Sequence, residues 1–252
     1  MGFTVDIAAL LVTVDRAHNH FCITAPEGNP VVMLLPDSLS VTSIFARTKG
    51  KRARGCPGDN NPMLYALKGM HNLNTRARDI GELCLSFRKI FAVFLNNQPV
   101  WDWIVPLPSG SQVCARFARK VHQRVGQGHY VDWVLIKRTA GEVLSCIGEM
   151  RISARDKNTL SEEIKRFIKA HGPQAPFQIK TIKRVNLRRY INPLALGQIR
   201  KHEIPPARIL LIDDMVTTGT SLRRAAELLR HQYPDAHIEA LTLFGSSKSS
   251  TS

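Results

Sequence analysis

The residues best suited to chemistry lie in one run, Ile209-Leu-Leu-Ile-Asp213-Asp214-Met-Val-Thr217-Thr218-Gly219-Thr220-Ser221. Its apolar start predicts a buried strand that delivers two adjacent carboxylates at its carboxyl end, which is where open α/β sheets bind ligands. Thr217, Thr218, Gly219, Thr220 and Ser221 then form a short hydroxyl-rich loop, and Leu222, Ala225, Ala226 and Leu229 supply the apolar stripe of a following helix. Backbone N–H groups at that helix start, the helix dipole and the hydroxyls make a pocket for a phosphate, and Gly219 lets the backbone come close. Two carboxylates beside such a pocket repel a bare phosphate. They suit sugar hydroxyls, gripped directly or through a magnesium ion.

A second unit of the same kind lies upstream, where residues 104–108 predict a strand and Ser109, Gly110 and Ser111 a small-residue turn into a helix. A basic pair, Lys137-Arg138, ends the strand after it. The run 209–221 closely resembles the phosphoribosyl pyrophosphate (PRPP) motif of type I phosphoribosyltransferases, every position carrying a residue type that family accepts. The resemblance implies that Asp213 and Asp214 meet the ribose hydroxyls of PRPP, with magnesium as the cofactor held directly or indirectly by both. It implies that Thr217, Thr218, Gly219, Thr220 and Ser221 cradle the 5′-phosphate. Ser109, Gly110 and Ser111 look like the family's pyrophosphate loop, with Lys137 and Arg138 neutralising the leaving group. Three further stretches, Tyr65-Ala-Leu-Lys-Gly69, Val105-Pro-Leu-Pro108 and Arg155-Asp-Lys-Asn158, occur in the order seen in ComF-like members, which are linked to DNA uptake. That likeness covers roughly residues 63–244, without the paired-cysteine zinc finger and the Arg-Gly-Phe-Asn signature usual there. Purine-salvage members carry an Asp where this chain has Thr217, which cannot serve a purine as proton partner. The implied reaction moves a 5-phosphoribosyl group to an unidentified acceptor, a nucleobase being one class, with release of pyrophosphate. The alternative is a non-catalytic, PRPP-responsive protein that binds nucleic acid. A homodimer is compatible with either.

The elements that must position these residues read as alternating α and β. Apolar spacing predicts helices over 76–91 and 113–125, a helix from about 159 to 170 opened by a Thr159/Glu162 capping box, and another over 222–231. Strands are expected over 101–107, 130–136, 208–212 and 237–244. Strands alternating with such helices imply a doubly wound, mostly parallel sheet. Ahead of it, strands over 5–14, 19–24 and 29–35 predict a small N-terminal β-rich region. The expected organisation is therefore an N-terminal region and basic loop over 1–62, serving as a hood, a phosphoribosyltransferase-like domain over 63–244, and a Ser-rich tail over 245–252. Residues 139–204 are a second source of hood.

Among 252 residues, 35 Lys and Arg face 20 Asp and Glu, a formal charge of +15. Residues 1–44 carry −3, so the rest carries +18, concentrated in 47–54 and in seven basic residues over 178–202. Those stretches fit either PRPP's negative groups or a nucleic acid. The 44% hydrophobic content is enough for a sizeable core. No stretch reaches the ~18–20 apolar residues of a membrane span, and a cytoplasmic protein without a membrane partner is expected. Five scattered cysteines without a CxxC pair point to neither disulfides nor a zinc ribbon. His18-x-His20-x-Cys22 could place three zinc ligands on one strand face, with no evident fourth.

Overall fold

A computed structural model describes residues 1–48, 61–96, 100–199 and 204–246. In chain order the strands are β1 (Gly2–Asp6), β2 (Leu11–Asp15), β3 (Cys22–Ile23), β4 (Val31–Leu34), β5 (Ser40–Arg47), β6 (Asn74–Thr75), β7 (Trp103–Pro106), β8 (His129–Tyr130), β9 (Leu135–Lys137), β10 (Leu194–Leu196), β11 (Arg208–Met215) and β12 (His237–Phe244). The helices are α1 (Pro62–Leu67), α2 (Ala77–Leu95), α3 (Gln112–Val125), α4 (Ala140–Ser145), α5 (Ala154–His171) and α6 (Thr220–Gln232). Tight 3-10 turns cover Ile179–Thr181 and Val185–Tyr190.

The main sheet runs β3-β5-β12-β11-β7-β8, with β4 also on β5. Its five strands from β5 to β8 are parallel, and only β3 and β4 run antiparallel. Alternation along β11 explains why an unbroken apolar run suits a central strand. Leu210 and Ile212 join the core under α2 and α3, whereas Ile209 and Leu211 join the core under α6. The expected doubly wound, parallel-rich sheet is therefore present.

Several local readings change. Residues 5–14 form the β1–β2 hairpin rather than one strand, with the turn at residues 7–10. Residues 19–24 contribute only the short β3. The strand expected over 130–136 splits: β8 stays in the main sheet, and β9 leaves it to pair antiparallel with β10. Thr159 lies inside α5, whose N-cap is Ser153. The capping box belongs instead to α4, where Thr139 and Glu142 bond reciprocally. Strand β5 was not expected, and the compositional boundary near residue 45 falls within it, with Arg47 buried at its end. Its inner neighbour is β12, and the buried hydroxyls of Ser43 and Thr242 meet across that seam at 2.8 Å. The N-terminal hairpin adds Phe3 and Val12 to the core under α2, and Phe3 stands edge-on to Phe244.

A third core, separate from the two that line the sheet, is built by Ala140, Val143, Ile147, Leu160, Ile164, Phe177, Ile182, Leu187 and Ile191. It unites α4, α5 and the 3-10 turns into a small helical unit inserted between β9 and β10. Most of the basic loop over 47–62 and nearly all of the Ser-rich tail lie outside the described residues.

Candidate active site

Strand β11 ends in the two carboxylates. The Asp213 carboxylate accepts the N–H of Asp214 at 2.8 Å, which fixes its orientation at the sheet edge. Burial, reinforced by the charge of Asp214, pushes the Asp213 carboxyl up to about 7, against the opposing charges of Lys68 and Lys137. Asp214 is buried, and the Lys68 ammonium sits 2.7 Å from its Oδ2. Lys68 is delivered by α1, which starts on Pro62 and is capped by the Asn61 side chain accepting the Leu64 N–H at 3.2 Å.

Beyond the carboxylates the chain turns through Thr217 and Thr218 into α6. Gly219 caps that helix in the left-handed region, φ 71°, and no side chain caps the helix N–H groups. A Cβ on Gly219 would stand 2.5 Å from Leu35 Cδ1, so both conformation and space ask for glycine here. A pocket of about 130 Å³ is lined by Asp213, by Thr217, Thr218, Gly219, Thr220 and Ser221, and by Ile179 and Arg188 from the helical unit above. Arg188 is steadied by its Nε donating to the Ile182 carbonyl at 2.8 Å. This is a concave site of N–H donors, hydroxyls and a guanidinium beside two carboxylates. It can hold a phosphate while presenting acceptors to neighbouring hydroxyls.

The second turn lies on the adjacent strand. Leu107 N–H donates to the Ile212 carbonyl at 2.8 Å, so the end of β7 is tied to the strand that carries Asp213. Ser109 and Gly110 are exposed, and Ser111 caps α3 by accepting the Val113 N–H at 3.2 Å. The basic pair separates. Lys137 faces the carboxylates; burial and the nearby charge of Lys180 lower its pKa, while Asp213 and Asp214 act in the opposite sense. Arg138 turns the other way and donates to Cys146 Sγ at 3.3 Å, serving the helical unit. The site thus gathers Asp213, Asp214, Lys137 and the loop from Thr217 to Ser221, sets Ser109, Gly110 and Ser111 beside them, and leaves Arg138 out.

Sequence reasoning missed two cations. Lys68 stood in the quoted Tyr65-Ala-Leu-Lys-Gly69 run, but nothing local shows that it reaches Asp214. Arg188 belonged to the basic stretch 178–202, where seven cations look alike until the fold selects one. The zinc reading does not hold: His18 stacks on His20 and lies 3.4 Å from Asp15, while Cys22 is buried with its thiol pushed up by burial. Among the described residues no group of three or more His, Cys, Asp or Glu is arranged to hold a metal. Nor is any helix there long and apolar enough to cross a membrane.

Comparison with known families places a phosphoribosyl transferase domain over residues 164–251. The matched span is about a third of the chain and contains Arg188, both carboxylates, the loop from Thr217 to Ser221, α6 and β12. No curated protein and no solved structure matches the chain significantly.

Proposed function

From that domain, we propose that the protein is a PRPP-dependent phosphoribosyltransferase that moves the 5-phosphoribosyl group to an acceptor and releases pyrophosphate. The observation that carries this reading is the pocket that joins Asp213 to the uncapped start of α6 through five small or hydroxylated loop residues. In this reading Thr217, Thr218, Gly219, Thr220 and Ser221 take the 5′-phosphate through N–H groups and hydroxyls, and Arg188 closes over it from above. Asp213 and Asp214 accept the ribose hydroxyls. Ser109, Gly110 and Ser111 present the turn for pyrophosphate, with Lys137 as counter-charge.

The donor set suits a magnesium ion that arrives with its ligand. Two carboxylates are too few for an octahedral ion, so the remaining oxygens must come from PRPP and water. Held by Asp213 and Asp214, such an ion supplies charge neutralisation for the departing pyrophosphate. The protein's own work is positioning. It fixes both ends of the sugar phosphate, so that an acceptor nucleophile forms its bond at C1′ as the C1′–oxygen bond to pyrophosphate breaks. No side-chain nucleophile is required.

The acceptor is a nucleobase or another nitrogen nucleophile entering beneath the helical unit of residues 139–193, which takes the role of hood. Calorimetry with PRPP and magnesium tests the reading. The wild type is expected to bind and the Asp213→Asn/Asp214→Asn protein to lose at least tenfold in affinity; unchanged binding in the double variant rejects it. Turnover of PRPP to pyrophosphate with candidate bases then separates an enzyme from a sensor.

A further inference from the structure

Lys68 has no part in the reaction just described, yet it occupies one of the two carboxylates that reaction needs. We propose that Lys68 is a built-in counter-ion that bars a lone divalent cation from Asp214 and yields it only when a phosphorylated sugar arrives to take the ammonium in exchange. The proposal rests on the reading of Asp213 and Asp214 as the sugar- and cation-facing carboxylates.

Three observations carry it. First, the pair is close and shielded: Nζ and Oδ2 are 2.7 Å apart, and the two side chains are 17% and 8% exposed. A carboxylate this buried needs a partner when the site is empty, and removing one partner of such a pair is costly. Second, the lysine is hinged where its backbone is not. Met63 and Leu64 of α1 are buried, Asn61 caps the helix, and Lys68 closes it just before Gly69 turns left-handed at φ 63°. The four-carbon stem therefore swings from a fixed point, which suits a compact, mobile ammonium better than a planar guanidinium. Third, the surroundings are already cationic. Lys137 of β9 acts electrically on Asp213, Asp214 and Lys68, and Lys180 of the first 3-10 turn acts on Lys137 in turn.

The charge balance then decides the order of events. A bare divalent cation must displace a buried ammonium, leave it without an acceptor and face Lys137 as well. A phosphorylated sugar reverses each of these costs, because its oxygens accept the displaced ammonium and neutralise the corner. Cation and sugar phosphate therefore bind with strong positive coupling, and by linkage each raises the affinity of the other by the same factor. The lysine is carried by α1, outside the matched span of residues 164–251.

The test uses the full chain and manganese(II) as probe, followed by paramagnetic resonance without any sugar. Lys68→Met removes the head group; Lys68→Gln keeps a hydrogen-bond donor for Asp214 and is the variant to read if the first does not fold; Lys68→Arg keeps the charge. The neutral variants are expected to bind manganese at least tenfold more tightly than the wild type, and Lys68→Arg to stay within threefold of it. With PRPP present the order inverts, the neutral variants binding PRPP at least tenfold more weakly. Equal manganese affinity in wild type and Lys68→Gln, with PRPP binding intact in the wild type, overturns this inference alone. A wild type that binds no PRPP at all overturns the functional reading, and the exchange with it.

Discussion

Asp213 is a residue whose useful state costs stability. Its carboxyl keeps a proton up to about pH 7 in the folded chain but releases it near 3.8 when unfolded. Between those values the folded state binds more protons, so stability falls as pH rises and stays lowered above 7. Asp213→Asn removes the ionisation and keeps an oxygen to accept the Asp214 N–H. It is expected to gain about 1–3 kcal/mol over the wild type at pH 8, a gain that fades by pH 4. Thermal melts across that range check it, and a variant no more stable at pH 8 refutes it. Gly219 makes the opposite case. Gly219→Ala meets both the left-handed φ and Leu35, and is expected to cost about 1–3 kcal/mol and weaken PRPP binding at least tenfold. Adding Leu35→Ala relieves only the collision, so most of the loss persists in the double variant.

At the scale of elements, the seam between β5 and β12 shows what the sequence announces and what it hides. Strands β11 and β12 and helices α3 and α6 were legible because period and apolar content agree along each of them, and the loop from Thr217 to Ser221 was legible because it is contiguous. Strand β5 was not, since Ser40, Thr42 and Ser43 interrupt its apolar content, and only the partner strand supplies Thr242 to meet Ser43. The same reason hid Lys68, whose meaning depends on a carboxylate that only folding brings near. Tertiary pairing, not local propensity, decided both. A double-variant cycle tests the seam: Ser43→Ala alone is expected to cost about 1–3 kcal/mol by leaving Thr242 less well satisfied, while Ser43→Ala/Thr242→Val recovers much of it. Denaturant unfolding measures both, and strict additivity would falsify the idea that the hydroxyls satisfy each other.

For the whole molecule the question is where a charge of +15 does its work. Part of it is already answered at the surface: Arg223 and Arg230 pair with Asp37, and Arg224 with Glu227. These arginines and Arg189 border a depression of about 560 Å³ beside α6, so a nucleic acid there would have to compete with the chain's own acids. By contrast Arg188 of the inserted unit lines the pocket, and Lys137 of β9, with Lys180 of the inserted unit beside it, faces the carboxylates, where the proposed ligand brings several negative charges. A cleft lined by one sign of charge focuses the field and steers its ligand. PRPP association should accordingly slow steeply as salt rises, because screening shortens the reach of that field to ~8 Å at physiological ionic strength. In Lys180→Ala/Arg188→Ala the rate is expected to drop at least tenfold at low salt and its salt dependence to flatten. Stopped-flow mixing over a salt series reads both quantities. If the double variant keeps the wild-type salt slope, the charge of the inserted unit serves an acidic partner other than PRPP, and a single-stranded oligonucleotide titrated over the same series would then show the steep log–log dependence that phosphate contacts produce.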